Sequence, residues 1–135
     1  MDRTKLRLYA VTDRAWAADG DSFFRQVAAA VAGGADIVQL REKHLDPQAF
    51  LTEAKRFVAL CREQGALSII NDSAEIAAQA GADGVHVGQS DMEAGKVREK
   101  LGPDKIIGVS CKNVEQALLA KKHGANYLGV GAIYP

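Results

Sequence analysis

Gly34-Ala35-Asp36-Ile37-Val38, Gly81-Ala82-Asp83-Gly84-Val85 and Gly124-Ala125-Asn126-Tyr127-Leu128 are three versions of one unit: a helix stop, a turn and the entry to a strand. They recur roughly 45 residues apart, a spacing of about two β/α units. Around them, short β-branched runs alternate with longer amphipathic segments. The runs are Leu8–Thr12, Ile37–Arg41, Leu67–Asn71, Gly84–Val87, Ile106–Val109 and Tyr127–Val130. Each has the length of a buried parallel strand.

The segments between them read as helices. Phe23, Phe24, Val27 and Val31 are apolar at helical spacing, with Asp21 or Ser22 placed to cap them. Asp46-Pro47 is a helix start, with Asp as N-cap and Pro at the first position. The helix it opens carries Phe50, Leu51, Ala54, Phe57, Val58 and Cys61 on one face and stops near Gly65. Asn113 and Gln116 form a capping-box pair ahead of Ala117, Leu118 and Ala120.

Strict β-α alternation predicts a parallel sheet with helices outside it. The repeat favours an α/β fold of the (β/α)8 TIM barrel family, although a doubly wound sheet satisfies the alternation too. The chain has 135 residues, which suits one domain over 1–135. A complete eight-unit barrel needs roughly 200 residues or more. The expectation is therefore an incomplete barrel of about six parallel strands, truncated at its C-terminus, with open sheet edges and exposed apolar surface.

Composition narrows the function classes. Hydrophobic residues make up 47% and charged residues 25%, as in an ordinary soluble globular protein. Lys plus Arg and Asp plus Glu balance at 17 each, so no bulk field draws nucleic acid or an anionic membrane. Any anion must meet a local cluster. No apolar run approaches a membrane span, and the first residues lack a signal-peptide core. Cys61 and Cys111 have no zinc spacing and read as reduced packing residues of a cytoplasmic protein.

The chemistry-bearing residues fall at strand ends. Gln39, Arg41 and Lys43 alternate with Leu40 and Glu42, so the first three share one face if the chain stays extended. Such a row suits a diphosphate at a barrel mouth, where Arg and Lys hold phosphate oxygens. It also suits a strand end with solvated charges and Glu42 paired to a neighbour. Asn71-Asp72 ends the next strand, where barrel enzymes place binding groups, yet Asp72 or Ser73 equally caps the following helix. His86-Val87-Gly88-Gln89-Ser90-Asp91 follows the fourth strand. Asp91 reads as a metal carboxylate or a helix cap, and His86 as a hydrogen-bonded wall residue more than a base. Ser110 either donates to a phosphate or bonds to backbone. Lys112, Lys121, Lys122, His44 and His123 read as surface, and the aromatic residues as core.

The ordered set Leu8-Tyr9-Ala10-Val11-Thr12-Asp13, Gln39-Leu40-Arg41-Glu42-Lys43, Ile70-Asn71-Asp72, Gly81 through Asp91, Ile107-Gly108-Val109-Ser110 and Gly129 through Pro135 resembles thiamine-phosphate synthase. The likeness runs along nearly the whole chain. It implies an enzyme that joins an aminopyrimidine diphosphate to a thiazole phosphate, giving thiamine phosphate and pyrophosphate with Mg²⁺ as cofactor. On that likeness Gln39, Arg41, Glu42, Lys43, Asn71 and Ser110 bind the diphosphate substrate, with Arg41 and Lys43 catalytic. Asp72 and Asp91 hold Mg²⁺. The family's Thr- and Lys-containing thiazole-phosphate loop lies beyond this sequence. Small-molecule substrates are the expected partners, nucleic acid and membrane are not, and a homo-oligomer is compatible with the reading. Two alternatives stand beside it: a thiazole tautomerase of the same fold, or a non-catalytic barrel fragment that only binds the diphosphate.

Overall fold

The computed structural model describes residues 1–89 and 93–134. In chain order the elements are β1 (Tyr9–Val11), α1 (Gly20–Ala32), β2 (Ile37–Leu40), α2 (Pro47–Gln64), β3 (Leu67–Asn71), α3 (Ala74–Ala80), β4 (Gly84–Val87), α4 (Ala94–Leu101), β5 (Ile106–Cys111), α5 (Val114–Lys122) and β6 (Tyr127–Val130). Short 3-10 turns occupy Arg3–Leu6 and Arg14–Trp16. The six strands form one sheet in the order β1-β2-β3-β4-β5-β6, and every pairing is parallel. A doubly wound sheet reverses its strand order at a switch point. This sheet never does, so the winding is that of a barrel, here an open half-barrel.

The repeated unit has a physical explanation. Gly34, Gly81 and Gly124 take φ values of 115°, 71° and 94°, left-handed turns that side chains with a Cβ resist. The following Ala35 and Ala82 are buried under the helices. The third residue ties the new turn to the preceding strand. Asp83 Oδ2 accepts from the Ser68 N–H at 2.8 Å, and Asn126 Oδ1 accepts from the Ile107 N–H at 2.8 Å. The polar residue thus satisfies a strand-start donor that the ladder leaves open.

Helix caps largely follow the sequence. Asp46 Oδ1 accepts from the Ala49 N–H, and Asn113 Oδ1 from the Gln116 N–H. Gln116 Oε1 turns back to the Lys112 N–H. At α1 the cap is Asp19, which accepts from the Ser22 N–H at 2.7 Å, and not Asp21 or Ser22 as expected. The helix begins earlier than its apolar stripe, and Asp21 instead meets Arg56 of α2.

Strand alternation sorts the interior into two layers. Val38, Leu40, Ile70, Val85, Val87, Ile107 and Val109 face the helices and pack on Phe23, Phe57, Ala54 and Val97. Each fully buried aliphatic side chain there contributes about 1.5–3 kcal/mol. Ile37, Ile69 and Ile106 point to the concave face, joined by Leu6, Tyr9, Leu67 and Tyr127. The expected open edge is present. Val114, Leu118 and Leu119 of α5 and Val130 of β6 are exposed, so α5 lays only Ala120 fully into the core.

Candidate functional site

The concave face forms a pocket of about 570 Å³ at the carboxyl ends of the strands. Its walls include Gln39, Arg41, Asn71, His86 and Ser110, with Tyr9, Tyr127 and Gly129. Each arrives by period-two alternation. Ile37 and Gln39 point inward from β2, and Arg41 follows one residue past the strand's end, its N–H donating to Thr12 Oγ1 at 3.1 Å. Ile69 and Asn71 do the same in β3, while His86 and Ser110 project from β4 and β5. Gln39, Asn71 and His86 are buried, whereas Arg41 and Ser110 are exposed toward the opening. Buried amides at the base and a cation at the mouth make a pocket able to orient a polar heterocycle and meet an anion.

Beside Arg41, Lys43 Nζ donates to Asp72 Oδ2 as an ion pair. Both side chains are more than a third exposed. The capping question for this turn has a clear answer. Ser73 Oγ accepts from the Ile76 N–H at 3.1 Å, so Ser73 caps α3 and Asp72 does not. Asp72 takes φ 70°, the one positive value outside glycine among the described residues. Its N–H donates to the His86 carbonyl at 2.8 Å, which holds the turn against β4. A backbone in this region at a strand end is a feature of functional turns.

The sequence-derived residues are not all on one side. Glu42 lies outside the pocket: its side chain is 5% exposed and Arg14 Nε donates to it at 3.0 Å. Arg14 also pairs with Glu53 of α2 and lies 4.5 Å over the Phe23 ring. Glu42 therefore anchors the segment from behind while Arg41 lines the pocket and Lys43, outside its lining, pairs with Asp72. Asp91 lies outside the described residues. Among the described residues no group of three or more His, Cys, Asp or Glu is spaced to hold a metal ion. Cys61 and Cys111 are both unpaired and buried.

Reading the aromatics as core missed two wall residues. Tyr9 and Tyr127 face the pocket and meet hydroxyl to hydroxyl at 2.5 Å. Gln39 Nε2 donates to Tyr9 Oη at 2.8 Å. Tyr127 Oη lies 3.0 Å from His86 Nδ1, and His86 Nε2 lies 2.7 Å from Ser110 Oγ. Burial pushes both phenols above their ordinary pKa, and the neighbouring Tyr9 adds to the shift at Tyr127. The signal that could have revealed Tyr127 was Gly108. A Cβ there would sit 2.1 Å from the Tyr127 ring, so the glycine is the space through which the ring crosses β5.

Fold and pocket together define a parallel β/α barrel protein with a polar, cation-rimmed site at its strand ends, the position barrel enzymes use for small anionic substrates. Residues 8–135 match the family model described as thiamine monophosphate synthase, and the chain belongs to that family. It is 46% identical to the thiamine-phosphate synthase of Clostridium acetobutylicum, covering 99% of this chain and 63% of the relative. It is 52% identical to the chloroplastic thiamine biosynthetic bifunctional enzyme TH1 of Arabidopsis thaliana, covering 96% of this chain and 25% of that protein. The structure of a thiamine phosphate pyrophosphorylase from Pyrococcus furiosus superposes with a TM-score of 0.87 at 37% identity, covering 97% of this chain and 62% of that one. An aldolase, QR15, shares the fold alone, with a TM-score of 0.66 at 18% identity. The chain thus spans less than two thirds of the length of these relatives.

Proposed function

We propose that the protein carrying this chain is a thiamine-phosphate synthase. It joins an aminopyrimidine methyl diphosphate to a thiazole phosphate. The bond between the pyrimidine methylene and the diphosphate oxygen breaks, and pyrophosphate leaves with the electron pair. The thiazole nitrogen supplies the pair for the new C–N bond. The observation that carries this reading is the convergence of Gln39, Arg41, Asn71, His86 and Ser110 on one pocket, while Lys43 and Asp72, outside its lining, pair with each other on the segments that follow Arg41 and Asn71.

The residues divide the work by position. Gln39 and Asn71, buried at the base, orient the heterocycle by hydrogen bonds that are strong where water is excluded. Arg41 offers a planar fork to phosphate oxygens at the mouth. Lys43 adds a point charge once it leaves Asp72. Ser110, on the opposite wall, donates one hydroxyl. Neutralising a leaving group and aligning two substrates are what this substitution requires, and neither needs a tuned side-chain base.

Mg²⁺ fits the donor chemistry present. Magnesium is commonly held by one or two carboxylates together with waters and substrate phosphates. Asp72 supplies an accessible carboxylate beside the anion-binding cations, and Asp91 is the second residue assigned to it. When bound, the ion would neutralise charge on the departing diphosphate. The two unpaired cysteines support a reducing, cytoplasmic setting. No helix among the described residues is long and apolar enough to cross a membrane.

The test is a coupling assay on the full-length protein with both substrates, with and without Mg²⁺, following thiamine phosphate and pyrophosphate together. Equal release of both products supports the assignment. Pyrophosphate release without thiamine phosphate, or no turnover in either condition, removes it.

A further inference from the structure

The concave face carries a hydrogen-bonded chain that has one end of known polarity. Gln39 Nε2 has only protons to offer, so Tyr9 Oη accepts from it at 2.8 Å. The Tyr9 proton is then free to donate, and Tyr127 Oη lies 2.5 Å away. With Tyr9 donating to it, Tyr127 would have its own proton left for His86 Nδ1 at 3.0 Å. A neutral imidazole that accepts at Nδ1 carries its proton on Nε2. That proton points at Ser110 Oγ, 2.7 Å away. Ser110 therefore accepts from the histidine and keeps its hydroxyl proton for something outside the chain. Its side of β5 is exposed to the pocket.

We infer that Tyr9, Tyr127 and His86 form a one-way hydrogen-bond chain that holds His86 in its Nε2–H form and so presents Ser110 as an outward-facing donor to an anionic oxygen of the ligand. Tyr127 is a positioning residue, acting through His86 and Ser110. Distances place the partners, and the direction is the inference, built outward from the Gln39 amide. The use of the Ser110 proton rests on the proposed diphosphate chemistry. Burial pushes both phenols to higher pKa, so each keeps a proton to donate at neutral pH. The surrounding glycines leave room for the chain. A Cβ at Gly108 would collide with the Tyr127 ring, and one at Gly129 would come within 3.1 Å of His86 Cε1.

The arrangement predicts a specific ligand chemistry. A ligand oxygen beside Ser110 can take the hydroxyl proton, which the bond from His86 leaves unspent. Phosphate and carbonyl oxygens are the groups that use this proton. The same chain leaves the Gln39 carbonyl oxygen unused by Tyr9, so the opposite wall offers an acceptor. The pocket is thus polarised, with an acceptor at the β2 wall and a donor at the β5 wall.

The direct experiment is nitrogen-15 NMR of the imidazole ring in the full-length wild-type protein, without substrates, with the His86 signals assigned by their loss in His86→Asn. The expected result is the Nε2–H tautomer. Finding the Nδ1–H tautomer overturns the inference, whatever the protein's activity. Tyr127→Phe should shift the ring toward a tautomer mixture, and unchanged signals would count against the chain. Coupling kinetics give the functional arm. Tyr127→Phe should lower kcat/KM roughly tenfold, as loss of one oriented hydrogen bond does. Because Tyr127 acts through Ser110, adding it to Ser110→Ala should cost less than twofold more. Fully multiplicative losses would make Tyr127 a separate structural support and sink its positioning role. A wild-type protein with the Nε2–H tautomer but no coupling activity would instead reject the proposed reaction and leave the chain's direction intact.

Discussion

Lys43 and Asp72, from the carboxyl ends of β2 and β3, are paired with each other: the cation suited to a diphosphate is held by the carboxylate suited to a metal ion. Each charge offsets the other in the pair. Binding of a metal ion and a diphosphate would exchange the pair, with Asp72 turning to the cation and Lys43 to the anion. Because the pair is partly exposed, breaking it costs about 1 kcal/mol at most.

Asp72→Asn tests this exchange cleanly. Asn tolerates the left-handed backbone that Asp72 adopts, whereas Ala would add strain of its own. With Lys43 released, inorganic pyrophosphate should bind a few-fold tighter in the absence of Mg²⁺. The enhancement of pyrophosphate binding by Mg²⁺ should shrink or vanish. Calorimetric titration of wild type and variant, with and without the metal, measures both effects. An undiminished Mg²⁺ enhancement in the variant would take Asp72 out of the metal site.

Arg41→Ala should lower kcat/KM by about 10²–10³, equivalent to roughly 3–4 kcal/mol of transition-state stabilisation. Its guanidinium is exposed at the mouth, and its backbone bond to Thr12 survives the change, so the unfolding free energy should move by less than about 0.5 kcal/mol. Arg41→Lys should recover only part of the activity, because a point charge cannot reproduce the planar two-donor fork. Full recovery by lysine would reduce the role of Arg41 to net charge.

Gly84 and Gly108 predict opposite kinds of damage. A Cβ at Gly84 would sit 2.2 Å from the Ile106 carbonyl oxygen of the adjacent strand, so backbone must move. Gly84→Ala should destabilise the fold by at least about 1–3 kcal/mol, the usual range for overpacking. At Gly108 the obstacle is the outer end of the Tyr127 ring, which can swing aside. Gly108→Ala should therefore cost less stability while reducing coupling as Tyr127→Phe does. Denaturant unfolding paired with kinetics on both variants separates the two cases. A Gly108→Ala variant with wild-type turnover would show that the ring's crossing is dispensable.

Stability should decline on the alkaline side. Desolvation, helped by the charge of Asp83, pushes the Cys61 thiol from 9.0 up to about 12. Burial raises Cys111, Tyr9 and Tyr127 in the same direction. For a group raised on folding, the stabilisation is fully present below the unfolded pKa and is lost as pH climbs through the folded one. For Cys61 that window runs from pH 9.0 to about 12. Cys61→Ala should lower stability at neutral pH by leaving a small cavity, yet flatten the decline above pH 9.0. Parallel curves for the two proteins, from unfolding titrations across that window, would exclude Cys61 as a contributor.

The local chemistry of the chain was enough to determine its strand and helix succession, the turns at Gly34, Gly81 and Gly124, most caps, and the strand ends on which Gln39, Arg41, Asn71 and Ser110 lie. Those features depend on side-chain alternation, glycine conformations and cap hydrogen bonds that act within a few residues. The tertiary structure alone decided the sequential strand order, which removes the doubly wound alternative. It also turned Glu42 back to Arg14, gave the α3 cap to Ser73 and brought Tyr9 to Tyr127 from opposite ends of the chain. Curvature of the sheet brought Tyr9 to Tyr127: it determines which inward side chains meet across the concave face, and no spacing along the sequence carries that distance.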